Sequence, residues 1–148
     1  MIALLQRVSR AHVAVAGAVI GEIERGVLAL IGVQRADEDA QVERLLTRVL
    51  GYRIFPDAEG RMNLSLTDVS GGLLLVPQFT LAADTRTGTR PGFSTAAAPE
   101  RAQALFEVLV QRARERHAPV AVGRFGAHME VALVNDGPVT LWLEASGT

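Results

Sequence analysis

The sequence predicts an α+β domain in which mixed sheets are joined by two main helices. Three observations lead there: many short apolar runs of strand character, only two stretches with helical spacing, and no regular strand–helix alternation of the kind that builds a doubly wound parallel sheet. The length of 148 residues fits a single domain over residues 1–148. With 49% hydrophobic and 21% charged residues, the composition is that of a globular chain and excludes a disordered one.

Residues 2–8 and 11–15 are short, apolar and partly alternating, which predicts two strands. Ala16-Gly17 turns the chain, Val19 and Ile20 pair back, and residues 27–33 form a buried central strand. From Asp37 the period changes. Asp37 or Asp39 caps a helix whose apolar face is Val42, Leu45, Leu46, Val49 and Leu50, and Gly51 ends it. Residues 52–55 read as a strand, 56–60 as a turn, and 62–66 as a short alternating segment. Leu73-Leu74-Leu75-Val76 is a buried strand that delivers Pro77-Gln78-Phe79-Thr80 at its end. Residues 82–91 are polar and aperiodic, an exposed loop bordering a site. Pro99 starts a helix through Arg116 with Ala102, Leu105, Phe106, Leu109, Val110 and Ala113 on its apolar face. Residues 120–122, 129–134 and 139–143 complete the strands, with Asn135-Asp136-Gly137-Pro138 as the turn between the last two.

The absence of cysteine removes disulfides, thiolate nucleophiles and cysteine-ligated zinc, and reads as a reducing, cytoplasmic compartment. Arg7 and Arg10 follow rather than precede the first apolar run, so the charge order of a secretory signal is missing. No apolar run is long enough for a membrane span. A formal charge of −1 offers no global field for a polyanion, which argues against duplex DNA as a partner and makes any nucleic-acid contact local.

The three histidines, His12, His117 and His128, lack metal-ligand spacing; all three read as structural, and no metal or cofactor is expected. Neither a Gly-x-Ser-x-Gly elbow nor a phosphate-binding glycine loop is present. Taken by spacing alone, Gln78-Phe79-Thr80 is a strand end with Phe79 packed inward, and Asn135 to Pro138 simply reverses the chain. Thr80 as a nucleophile would need a neighbouring base, and none is evident.

Together, Gln78-Phe79-Thr80-Leu81 and Asn135-Asp136-Gly137-Pro138-Val139-Thr140 resemble the two signature motifs of the D-aminoacyl-tRNA deacylases. The similarity extends to Leu4 through Val8, Gly51 through Leu64, Arg90-Pro91, Gly123-Arg124-Phe125 and Met129. Pro77 and Gly92 stand where the family commonly has serine, and Gly126-Ala127-His128 where Ala-Ala-Asp is usual. Pro77 removes a hydroxyl and a backbone N–H next to the site.

The resemblance implies a barrel-like core and a homodimer acting on the aminoacylated 3′ end of transfer RNA. It implies hydrolysis of D-aminoacyl esters, and of glycyl esters because glycine has no side chain to exclude. Gln78, Phe79 and Thr80 would form the catalytic surroundings, through backbone N–H groups assisted by the RNA's 2′-hydroxyl or through Thr80 itself. A cis Gly137–Pro138 turn would enter the partner's site as a chiral filter, with Arg7 bracing it. Asn135, Phe125 and Met129 would contact the substrate. Arg53, Arg61, Arg86, Arg90 and Arg124 are the candidates for phosphate contacts.

Overall fold

One long strand, β1 (Ile2–Val15), organises the molecule in a computed structural model that describes residues 1–147. Its first half pairs antiparallel with β3 (Gly26–Gly32) and its second half with β2 (Ala18–Ile23), while β8 (Glu130–Glu144) runs antiparallel along its other edge. β6 (Gly72–Pro77) joins β3 in parallel, and β7 (Val120–Val122) joins β6 in parallel. The order β2-β1-β3-β6-β7 curls until β7 approaches β2: a Cβ added to Gly21 would lie 3.0 Å from the Val122 carbonyl oxygen. The sheet is therefore a nearly closed, barrel-like structure. β4 (Phe55–Pro56) and β5 (Met62–Leu64) form a separate small hairpin.

Period-two alternation sorts the core into two sides. Val27, Ala29, Ile31, Leu73 and Leu75 face α1 (Asp39–Gly51) and α3 (Pro99–Arg116), which bury Leu45, Leu46, Leu105, Phe106 and Leu109 against them. Leu28, Leu74 and Val76 point the other way and meet Val8, Ala11, Val13 and Ile23 inside the barrel. At Gly26 and Gly72 the β3 and β6 backbones touch; a Cβ on Gly26 would fall 1.9 Å from the Gly72 carbonyl oxygen. Among the described residues, no helix is long and apolar enough to cross a membrane.

Several local expectations change. Strands expected at 2–8 and 11–15 are one, because β8 pairs past the polar Ser9 and Arg10 with only register shifts. The residues 129–134 and 139–143 likewise belong to one strand that starts at Glu130, so Asn135 to Pro138 does not reverse the chain. Between Thr140, opposite Gln6, and Val134, opposite Arg10, β8 has five residues (135–139) against three in β1 (7–9), and the excess loops out. Neither Asp37 nor Asp39 caps α1. Glu38 does, in a capping box with Gln41, because the buried Asp37 carboxylate bonds the Met1 ammonium at 2.6 Å and the Gln34 amide at 2.6 Å. Of the strand expected over 52–55 only Phe55 pairs, and Leu66 opens a one-turn helix, α2 (Leu66–Val69), capped by Ser65.

Candidate active site

β6 carries the chain to Gln78, whose amide donates to Ile31 O at 2.7 Å. Strand alternation then turns the Pro77 nitrogen toward the opposite edge. There β7 has ended at Val122, and Gly123 leaves room for the proline ring, whose Cδ lies 3.4 Å from a Cβ built on Gly123. Proline is thus accommodated without breaking the β3–β6 ladder. After Gln78 the chain tightens into a 3-10 turn, Phe79–Ala82, closed by Leu81 N to Gln78 O at 3.3 Å. The Phe79 and Thr80 amides precede that first bond and have no acceptor within the turn. The Gln78 side-chain amide donates to the Thr80 hydroxyl oxygen.

Phe79 does not pack inward as spacing suggested: it is 61% exposed and meets Phe93 with ring centroids 5.1 Å apart. The 3-10 turn swings its ring out of the sheet, onto the loop that returns to α3.

A cavity of about 440 Å³ opens beside this strand end, lined by Val76 to Phe79, by Ala97, Pro99 and Ala102, and by Phe125 to Met129 with Val131. It brings together Gln78, Phe79, Phe125 and Met129. Met129 is held there by its sulfur, which accepts from Arg124 N at 3.4 Å and would meet a Cβ on Gly123 at 2.9 Å. Phe125 leans on Phe106 of α3, centroids 6.5 Å apart. His128, read as structural from sequence, is exposed on the cavity wall. His117 caps α3, its Nε2 2.6 Å from Gly71 O. Among the described residues, no three or more histidine, aspartate or glutamate side chains gather as metal ligands.

The second motif lies elsewhere. Gly137 and Pro138 are exposed on the looped-out stretch of β8, joined by a cis peptide bond, and neither lines the cavity. Gly137 has φ +132°, a region that disfavours any side chain. Arg7, with its side chain 12% exposed, fixes this loop from beneath: Nε donates to Asp136 O at 3.1 Å and Nη1 to Ile54 O at 2.7 Å, with the Asp136 carboxylate 3.4 Å away. Asn135 staples the base of the loop. Its amide donates to Arg7 O at 2.9 Å and Val139 O at 3.0 Å, and its side-chain oxygen accepts from Thr140 at 3.2 Å. Its side-chain polar groups are engaged within the chain, at the base of the loop.

The loop after the 3-10 turn is pinched by reciprocal bonds between Asp84 and Gly92 (2.7 and 3.0 Å). Hydrogen bonds from the Arg86 side chain, then from its backbone amide, lower the Asp84 carboxyl to about 2. Arg86 is thereby paired with Asp84 rather than free for a phosphate. A second groove of about 550 Å³ shares Phe79, Ala97 and Pro99 with the cavity and adds Phe93, Arg35 and Arg101. Sequence reasoning missed Phe93, Arg35, Arg101 and Ala97, which come from separate segments with no shared spacing to mark them.

The chain matches the model of the family D-Tyr-tRNA(Tyr) deacylase over residues 4–144. It is 66% identical to a D-aminoacyl-tRNA deacylase of Thioalkalivibrio sulfidiphilus over 144 residues, 97% of each chain. It is 63% identical to one of Alkalilimnicola ehrlichii over 145 residues, 98% of this chain and 97% of that one. Among solved structures it resembles a c-Myc DNA unwinding element binding protein, with TM-score 0.95, 35% identity, and 99% and 100% of the two chains covered. A probable eukaryotic D-amino acid tRNA deacylase shares the fold at TM-score 0.79 and 20% identity, covering 97% and 98%.

Proposed function

The chain belongs to the D-Tyr-tRNA(Tyr) deacylase family, and on that premise we propose that it hydrolyses the ester joining a D-amino acid to the terminal adenosine of transfer RNA, with the cavity lined by Gln78 and Phe79, next to Thr80, as its reaction site. The observation that carries this reading is the cavity itself, where Gln78 and Phe79 of one motif meet Phe125 and Met129 of another segment.

In this reading Phe125 and Met129 hold the adenosine and aminoacyl groups against apolar surface while Gln78 orients the ester. Water attacks the carbonyl carbon, and the oxyanion that forms is stabilised by the Phe79 and Thr80 amides. One well-aimed donor of this kind contributes roughly 3–4 kcal/mol. Collapse of the intermediate releases the free amino acid and the 3′-hydroxyl of the RNA. Thr80 as nucleophile is less well supported, since its hydroxyl oxygen accepts from the Gln78 amide, a group that cannot take a proton. The substrate's own 2′-hydroxyl assists by hydrogen-bonding the attacking water, whose proton passes to the leaving 3′-oxygen as the intermediate collapses.

The Gly137–Pro138 loop acts as the chiral filter of a second copy's cavity. Two observations support a homodimer: the loop is exposed yet does not line the cavity at Gln78 in its own chain, and among the described residues β8 pairs only with β1, leaving an open edge that carries Val134 and the half-exposed Trp142. Carbonyl oxygens facing the substrate α-carbon collide with an L side chain and leave a D side chain free. Glycine escapes this filter, so glycyl-tRNA is a substrate as well. Arg7 and Asn135 position the loop.

The test is turnover of D-tyrosyl-tRNA against L-tyrosyl-tRNA by the purified protein, with a free D-tyrosine ester as a third substrate. Cleavage of the D form alone is expected. Equal efficiency on the free ester would remove transfer RNA from the reading, and binding without turnover would remove catalysis.

A further inference from the structure

We propose that the groove formed by Phe79, Phe93, Arg35 and Arg101 binds the single-stranded nucleotides immediately preceding the terminal adenosine, stacking a base on the aromatic pair and pairing phosphates with the two arginines. This rests on the reading of the neighbouring cavity as the site that receives the 3′ end.

Continuity is the first argument. The groove and the cavity share Phe79, Ala97 and Pro99, so a strand whose last nucleoside enters the cavity passes directly over the groove. The second argument is chemistry. Its lining contains two aromatic rings, two guanidinium groups, small Ala96 to Ala98 and Pro99, and no carboxylate; Glu100, between Pro99 and Arg101, is not part of it. Aromatic faces beside cationic side chains are the combination that holds single strands without reading their sequence. Phe93 is 40% exposed and tilted 40° to Phe79, which leaves a ring face open to a base.

The third argument is that the charges are available. Arg35 makes no side-chain hydrogen bond or ion pair among the described residues; only its backbone amide is engaged, with Thr95 O at 2.9 Å. Arg101 donates to the Asp37 carbonyl oxygen at 3.3 Å and pairs with no carboxylate among the described residues. Most other arginines near acids are already neutralised: Arg86 by Asp84, Arg112 by Asp39 and Glu43, Arg116 by Glu43. Both arginines line the same groove as the aromatic pair, the juxtaposition that a stacked base and its phosphates require.

The experiment compares Arg35→Gln and Phe93→Leu with the unaltered protein on two substrates, D-tyrosyl-tRNA and 3′-O-D-tyrosyl-adenosine, which lacks the preceding nucleotides. For each variant kcat/KM on the tRNA is expected to fall about tenfold, as loss of one charge-assisted bond or one stacked base requires. The minimal ester should be cleaved unchanged, which also shows that the variants are folded. The salt dependence supplies a second readout: removing one phosphate contact in Arg35→Gln should reduce the slope of log kcat/KM against log salt by about 0.7. Equal losses on both substrates, or an unaltered salt slope with no loss on the tRNA, overturn the groove and leave the deacylase reading intact. Should the unaltered protein cleave neither substrate, the deacylase reading fails. The groove is then decided by anisotropy of a labelled RNA oligonucleotide ending in CCA: tenfold weaker binding to Arg35→Gln supports it, and equal binding overturns it.

Discussion

Replacing Arg7 by methionine, which keeps the length of the stem and removes the fork, separates the stability of the molecule from the stiffness of its proposed filter. Two bonds are lost. The one to Ile54 O at 2.7 Å lies beneath a residue only 2% exposed, and leaving that carbonyl without a partner costs about 1–2 kcal/mol. The one to Asp136 O at 3.1 Å, with the carboxylate pair at 3.4 Å, is more open to water; Asp136 is 55% exposed and the ion pair adds at most about 1 kcal/mol. Unfolding by urea should therefore show a loss of about 2–3 kcal/mol, which for a chain of this size lowers Tm by roughly 5–12 °C.

Only the Asp136 contact belongs to the loop, so about 1 kcal/mol of the loss loosens Gly137 and Pro138. If those residues exclude the L isomer, the ratio of D- to L-tyrosyl-tRNA hydrolysis should fall roughly fivefold, at about 1.4 kcal/mol per factor of ten. The assay is kcat/KM on both isomers at a temperature where the variant remains folded. A merely structural arginine would change Tm and leave the ratio alone. That outcome would refute the reasoning, and Arg7→Lys, which keeps the charge and loses the two-point fork, should recover part of the ratio.

Thr80→Ala is expected to retain substantial activity, while a terminal 2′-deoxyadenosine on the RNA should abolish it; single-turnover rates giving the reverse would restore Thr80 as nucleophile. Gly26→Ala should destabilise by more than about 3 kcal/mol, because its Cβ would fall 1.9 Å from the Gly72 carbonyl oxygen and only backbone can yield, whereas Gly51→Ala, with nothing within 4 Å, should be neutral or slightly stabilising in the same urea titration. Asp84 should titrate by carboxyl NMR near its folded value of about 2, below its ordinary 3.8. A depressed carboxylate contributes above the unfolded pKa, so amide protection across residues 84–92 should hold at pH 4 and above and fade as pH falls through about 2; Arg86→Ala should move the midpoint back toward 3.8.

The helix α3 was legible to the residue, since proline at its first position and a three-to-four periodicity are local signals. So was the buried strand leading to Gln78. Strand continuity was not. Ser9 and Arg10 in β1, and Asn135 to Pro138 in β8, carry loop chemistry, and they remain in strands only because each strand is the other's partner across more than a hundred residues. Asp37 and Asp39 are better helix caps than Glu38 by residue type; Asp37 is lost to that role because the Met1 ammonium draws it into the core. The motif residues of the site were visible through their resemblance, but the Phe79 ring had to be seen exposed before Phe93, Arg35 and Arg101 could be joined to it.

Exclusion makes a stricter demand on the protein than attraction does. In the proposed filter an L side chain is rejected only by as much as it costs to push the obstructing backbone aside, so the anchors of the Gly137–Pro138 loop would set an upper limit on discrimination. Four hydrogen bonds hold it: Arg7 to Asp136, Asn135 to Arg7 and to Val139, and Thr140 to Asn135. At a net 0.5–1.5 kcal/mol each they resist displacement by about 2–6 kcal/mol, enough to reject the wrong isomer by roughly 30-fold to above 10⁴-fold. A free loop of the same sequence, tethered only at its ends, would offer almost none of that resistance. The proposed filter thus depends on being a bulge within a paired strand: β1 supplies the register, Arg7 and Asn135 lock the excess residues, and the glycine and proline project without a freely rotating side chain.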